Sequence, residues 1–146
     1  MSLARKYLLT GFLFLGANFL FSQQKKIDSL LSLIRNDNPD TLKVNHLCNL
    51  ASELKNRGSF DSSLMVCITA LELSTKLAYK RGIARSYGNA GNAYRELGNY
   101  SLSLENLLKT LQIAEELKNK PLIAITQSNI GIVYFYLDNQ DRKSVV

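Results

Sequence analysis

Residues 89–100 read Asn89-Ala90-Gly91-Asn92-Ala93-Tyr94-Arg95-Glu96-Leu97-Gly98-Asn99-Tyr100. Forty residues earlier the chain reads Asn49-Leu50-Ala51-Ser52-Glu53-Leu54-Lys55-Asn56-Arg57-Gly58-Ser59-Phe60, and forty residues later Asn129-Ile130-Gly131 and Tyr134 fall in the same register. The register holds outward without a gap: Leu47 falls on Tyr87, Leu64 on Leu104, Ile68 on Leu108, Leu71 on Leu111 and Leu77 on Leu117. Apolar and small residues recurring at one offset over most of a chain mark a structural repeat.

Within each unit the spacing is helical. Leu47, Leu50, Ala51 and Leu54 stand at i, i+3, i+4 and i+7, one stripe of a helix. Leu64, Cys67, Ile68 and Leu71 repeat that stripe after the break at Gly58-Ser59-Phe60. The expected fold is therefore all-α: an α-solenoid in which each unit is a helix, a Gly-centred turn and an antiparallel second helix. Ala51, Gly91 and Gly131 are expected where the two helices approach closely, with Tyr94 and Tyr134 filling the space one turn later. Glu72–Lys76 and Glu105–Lys109 stand four apart with the acid first, the order that supports an exposed helix face. Pro121 begins the third unit's first helix, where a missing N–H costs nothing. Ahead of the repeats, Ile27, Leu30, Leu31 and Ile34 make an amphipathic capping helix over Lys25 to Asn36, broken by Asn36-Asp37-Asn38-Pro39.

The N-terminus reads differently. Arg5-Lys6 precede an uncharged apolar run from Tyr7 to Phe21, then Ser22, the pattern of a secretory signal peptide. The run is shorter than the roughly twenty residues that span a bilayer, so an uncleaved anchor is the lesser alternative and no stable membrane span is expected in the mature chain. The chain is expected to be exported, periplasmic or secreted. The domain reading is 1–22 signal peptide, 23–40 capping helix and linker, 41–82 first repeat, 83–122 second repeat, and 123–140 first helix of a third. That third repeat is truncated, since no partner helix follows, and Ile130, Val133, Tyr134 and Leu137 are expected to lack cover on one side. Residues 141–146, Asp141-Arg142-Lys143-Ser144-Val145-Val146, match one frame of a common sequencing-library adapter and are read as a non-native tail of a fragment.

Composition excludes several function classes. Apolar residues make up 46% of the 146 and charged residues 21%, as in a folded globular chain. The net charge of +6 falls to about +3 once the two ends are set aside, and its cations are scattered. A nucleic-acid surface needs clustered cations that release many counterions together, so no nucleic-acid partner is expected. The glycines form no phosphate loop, for no strand precedes them and no Gly-Lys-Ser/Thr follows. No nucleophile has a positioned base, and no carboxylate or cysteine stands at metal-ligand spacing beside His46, the one histidine, which is read as a solvated helix residue. No enzyme activity, cofactor or metal is expected. Cys48 and Cys67 are read as small apolar residues, and Asn99-Tyr100-Ser101 as an inter-helix turn.

The stretch 89–100 resembles the first helix and turn of the tetratricopeptide repeat family. Ser103-Leu104, Leu107 and Thr110-Leu111 fall where that family carries Ala-Leu, an aromatic and Ala-Leu, and Tyr87 where it carries tryptophan. The forty-residue period is similar to the longer-helix variant of kinesin light chain and of bacterial regulatory proteins, and the resemblance covers residues 43–140. It implies a scaffold that binds an extended peptide or a partner helix in a concave groove lined by first helices. Asn49, Asn89 and Asn129 would face that groove, where an amide can both donate to and accept from a peptide backbone; their alternative role is to bridge neighbouring helices. Asn92, Lys55 and Arg95 are further groove candidates. The same resemblance allows another reading: the sensory, periplasmic input portion of a truncated histidine kinase or transcription regulator.

Overall fold

The computed structural model describes residues 22–144. All of the expected signal peptide except Ser22, and residues 145–146 of the expected tail, lie outside the described residues. Helix α1 covers residues 22–36. It is followed by α2 (Thr41–Asn56), α3 (Phe60–Lys76), α4 (Lys80–Glu96), α5 (Tyr100–Glu116) and α6 (Lys120–Ser144). Consecutive helices pack on one another, and α4 also touches α2 and α6, so the first helices of the units make a continuous layer. The all-α solenoid of helix pairs is the fold.

The turns follow a twenty-residue rhythm. Gly58, Ala78, Gly98 and Lys118 each hold a positive φ, between 50° and 82°. At each, the next residue's N–H reaches back to the carbonyl at the helix's last turn: Ser59 to Leu54, Tyr79 to Ser74, Asn99 to Tyr94 and Asn119 to Ala114, all at 2.8–2.9 Å. These are Schellman caps, which satisfy carbonyls that the helix ends leave unpaired. The following helices gain N-terminal caps from Asp40, whose carboxylate accepts from Leu42 and Lys43 N–H, and from Asn99 and Asn119, which accept from Leu102 and Leu122 N–H.

The line of closest contact is built from smaller residues than the apolar periodicity suggests. In α3 the buried residues are Ser63, Cys67, Ala70 and Ser74; forty residues on, in α5, they are Ser103, Leu107, Thr110 and Ala114. Leu64 and Leu71 flank that line half-buried, while Ile68 is 57% exposed and Leu108 47%, contrary to the expected stripe. Each second helix is pressed between two first helices, so small side chains dominate its contact line, with Leu107 the large exception. Gly82 belongs to the same logic: an added Cβ there would come within 2.6 Å of Val44 Cγ1 and of Tyr79 Cδ1. The capping helix docks as expected through Ile27 and Leu30 on Leu50, but Leu31 points outward, 45% exposed.

Helix α6 corrects one detail. Val133, expected to lack cover, is fully buried, as Thr126 nearly is, because both lie on the side that faces the preceding pair. The open side carries Ala124, Gly131 and Tyr134, all exposed, whereas their equivalents Ala84 and Gly91 are buried and Tyr94 half-buried. His46 is a second correction. Its Nδ1 lies 2.6 Å from Asp37 Oδ2, with only 17% of the side chain exposed, so it ties α2 to the linker after α1 and is not solvated. Of the two acid-first pairs only Glu105–Lys109 closes, at 2.7 Å, and Lys109 also lies 5.2 Å from the centre of the Tyr87 ring.

Candidate functional site

First helices present residues spaced by three and four on a common side, and two hollows open there. The larger, about 620 Å3, lies between α1, α2 and α4; Lys25, Ser29, Asn49, Ser52, Arg85 and Asn89 are among the residues that line it. The smaller, about 200 Å3, lies between α4 and α6 and is lined by Asn89, Asn92 and Asn129 together with Leu122 and Ile125. Arg85 and Asn89 line both, so the two hollows adjoin.

Of the residues anticipated from the sequence, Asn49 and Asn89 meet in the larger hollow, and Asn89, Asn92 and Asn129 in the smaller. Their amides also bridge helices. Asn89 Nδ2 donates to Cys48 O at 2.7 Å, from α4 to α2. Asn49 Oδ1 accepts from Arg85 Nη2 at 2.7 Å, and Asn129 Oδ1 from Arg95 Nη1 at 3.4 Å. Arg95 pairs with Glu96 at 2.8 Å and borders a separate hollow with Tyr100, Ile132 and Tyr136. Tyr100 and Tyr136 stack there, centroids 5.3 Å apart. Lys55 lines neither of the two adjoining hollows.

Several residues of the site escaped the sequence reading. Arg85 is the hinge of the network, donating to Asn45 Oδ1 at 2.9 Å as well as to Asn49. It stands four residues before Asn89, and Asn45 four before Asn49, so the i, i+4 rule that defines a helix face could have found both. Ser52, the equivalent of Asn92, lines the larger hollow. The charge of that hollow is positive: Lys25, Lys26 and Arg85 face one acid, Glu53, which Lys26 holds at 2.6 Å.

The cysteines lie behind this face as buried thiols. Cys48 Sγ is 3.6 Å from Ser86 Oγ, and burial pushes its pKa up. Burial, with a smaller contribution from nearby Cys48, pushes Cys67 up to about 12. A thiol reacts as its thiolate, so neither is a nucleophile at neutral pH. Among the described residues no group of three His, Cys, Asp or Glu stands close enough to hold a metal ion, and no helix is long and apolar enough to cross a membrane.

Comparison with known families gives one match. The tetratricopeptide repeat model matches residues 40–116, which contain α2 to α5, and again residues 82–142, which run from α4 into α6. No curated protein matches the chain.

Proposed function

Since the chain belongs to the tetratricopeptide repeat family, whose repeats mediate protein–protein interaction, we propose that it is a non-catalytic scaffold that binds an extended segment of a partner protein across α2, α4 and α6. The observation that carries this reading is the pair of adjoining hollows lined by Asn49, Arg85, Asn89, Asn92 and Asn129, a series of amide and guanidinium groups. Amides donate and accept, so such a row matches the alternating N–H and C=O of a strand-like backbone without demanding one sequence. The cations at the α1 end favour a ligand with acidic residues there, since oppositely charged faces steer encounter and fix register.

Export belongs to the same proposal. Arg5-Lys6 and the apolar run Tyr7 to Phe21 support a signal peptide, which places the partner outside the cytoplasm.

Selection of peptides from a random library on the intact chain tests the binding reading, with affinities then measured for variants. Asn49→Ala and Ser52→Trp, on the row and in the larger hollow, are expected to weaken the selected peptides about tenfold or more, the effect of losing roughly 1.4 kcal/mol. Peptides that bind these variants as tightly as the parent chain would overturn the reading.

A further inference from the structure

The open side of α6 is apolar, and the equivalent side of α4 is covered. Ile125, Ile132, Tyr134 and Phe135 are all exposed on α6. Phe135 rests edge-on against Tyr136, ring centroids 5.9 Å apart, and still exposes 65% of its surface. On α4 the line Ala84, Gly88 and Gly91 is the seat of α5. Leu107 lies over Gly91 and Thr110 over Gly88, while Lys80 at the start of α4 reaches Glu116 at the end of α5, 2.8 Å away. Forty residues on, Lys120, Ala124, Ser128 and Gly131 are exposed. What covers such a face in this fold is an antiparallel helix with small residues along its contact line and an acid at its far end.

Helix α6 has both properties itself. Ala124, Ser128, Gly131 and Phe135 follow one another in steps of four, three and four, which makes them a single seam. The covering line of α5, Ser103, Leu107, Thr110 and Ala114, has the same steps and likewise one large residue among small ones. Ile125 and Ile132 flank the seam of α6 on one side. Lys120 and Asp138 flank it on the other: they are eighteen residues apart, about five turns at 3.6 residues per turn, hence at one angle and roughly 27 Å apart along the axis. Asp138 has Arg142 at 3.2 Å, an exposed pair that leaves 62% of the Asp138 side chain open to a second cation.

Two such faces turned antiparallel complete each other. Phe135 of either copy falls on Ala124 of the other, and Gly131 on Ser128. A two-fold axis returns each flank to itself and makes every contact twice. Ile125 then meets Ile132 on one flank, and Lys120 meets Asp138 on the other, as Lys80 meets Glu116 within the chain. A parallel pair would set Lys120 against Lys120 and Asp138 against Asp138.

We propose that the open face of α6 is a homodimer interface, in which α6 of a second copy lies antiparallel in the place that α5 takes on α4. The dimer is independent of the groove reading, since none of its contacts involves a residue that lines the larger hollow.

The test is sedimentation velocity of the intact chain and four variants over a range of concentrations, with helicity checked by circular dichroism. The parent is expected to reach twice the chain mass of 16.4 kDa, and Phe135→Glu to stay at the single mass. Lys120→Glu and Asp138→Lys each place like charges together at both ends of the interface, and each is expected to raise the dimer dissociation constant about tenfold. An equimolar mixture of these two variants, and the chain carrying both substitutions, are expected to recover the parent's value, because each restores opposite charges in the antiparallel register. A parent of single mass at every concentration overturns the proposal. So does a dimer that Phe135→Glu leaves intact, or one that the mixture fails to restore. A parent that stays single while a synthetic peptide of residues 99–117 binds it, and fails to bind Phe135→Glu, overturns the second copy as occupant and gives the face to another second-type helix.

Discussion

Leu107 sits over Gly91 so closely that a Cβ at residue 91 would come 2.9 Å from Leu107 Cγ and 3.2 Å from the backbone oxygen of Ser103. Forty residues on, Gly131 has nothing within 4 Å of the same construction. Two glycines in equivalent positions are thus under different constraints. Gly91→Ala forces α4 and α5 apart and is expected to cost about 1–3 kcal/mol, the usual result of overpacking a tight contact. Gly131→Ala meets no neighbour and is expected to stabilise by about 0.5–1 kcal/mol through helix propensity. Urea denaturation of the two variants checks this; equal effects would mean that α5 does not hold Gly91 as described.

Ser63 and Ser103 give a second matched pair. Both are fully buried at equivalent positions, but Ser63 Oγ donates to Ala51 O at 2.7 Å while Ser103 Oγ has no partner. Removing a buried hydroxyl that is bonded costs about 0.5–1.5 kcal/mol, whereas removing one that is unsatisfied relieves a desolvation penalty. Ser63→Ala is expected to destabilise and Ser103→Ala to be neutral or stabilising, by equilibrium unfolding. A loss of more than about 1 kcal/mol for Ser103→Ala would reveal a bond that the structure lacks.

The left-handed turns supply a third. Lys118 and Ala78 hold φ near 50°, where a Cβ crowds the carbonyl, while Gly58 and Gly98 do the same work without one. A side chain in that conformation costs roughly 1–2 kcal/mol. Lys118→Gly is expected to raise the melting temperature and Gly98→Ala to lower it. The opposite order would contradict the turn geometry.

Cys67 ties stability to alkaline pH. In the unfolded chain its thiol ionises near the usual value of about 8.5, whereas in the fold burial holds it to about 12. A folded value above the unfolded one gives a contribution fully present below about pH 8.5 that fades as pH rises from there towards 12. Urea midpoints measured from pH 7 to pH 10 are expected to fall, and to fall less steeply in Cys67→Ala. Identical slopes would contradict the burial. At pH 8 iodoacetamide is expected to leave both cysteines of the folded chain unmodified and to label both after denaturation.

The forty-residue recurrence of Asn49, Asn89 and Asn129, and of Ala51 and Gly91, was enough to read the helix pairs and the close approach. Those features are local in sequence or strictly periodic. Ser103 and Thr110 were legible only through the resemblance, as stand-ins for alanine, and the buried Ser63 and Ser74 not at all, because periodicity of apolar residues does not register small polar ones. Nor was His46 on Asp37, since the pair is fixed by how the linker crosses α2, a tertiary fact without a spacing rule. Arg85 was missed for a different reason. An isolated cation on a helix is usually solvated, and only the bridge to Asn45 and Asn49 across two helices shows it as part of the site.

The most direct measurement is the affinity of one library-selected peptide for the intact chain and for two variants on opposite sides. Ser52→Trp fills the larger hollow, and Ile68→Glu changes an exposed residue on α3 away from it. Binding is expected to weaken about tenfold or more in Ser52→Trp and to stay unchanged in Ile68→Glu, both variants melting as cooperatively as the parent. Unchanged binding in Ser52→Trp with loss in Ile68→Glu would place the ligand on the second helices and contradict a groove formed by α2, α4 and α6.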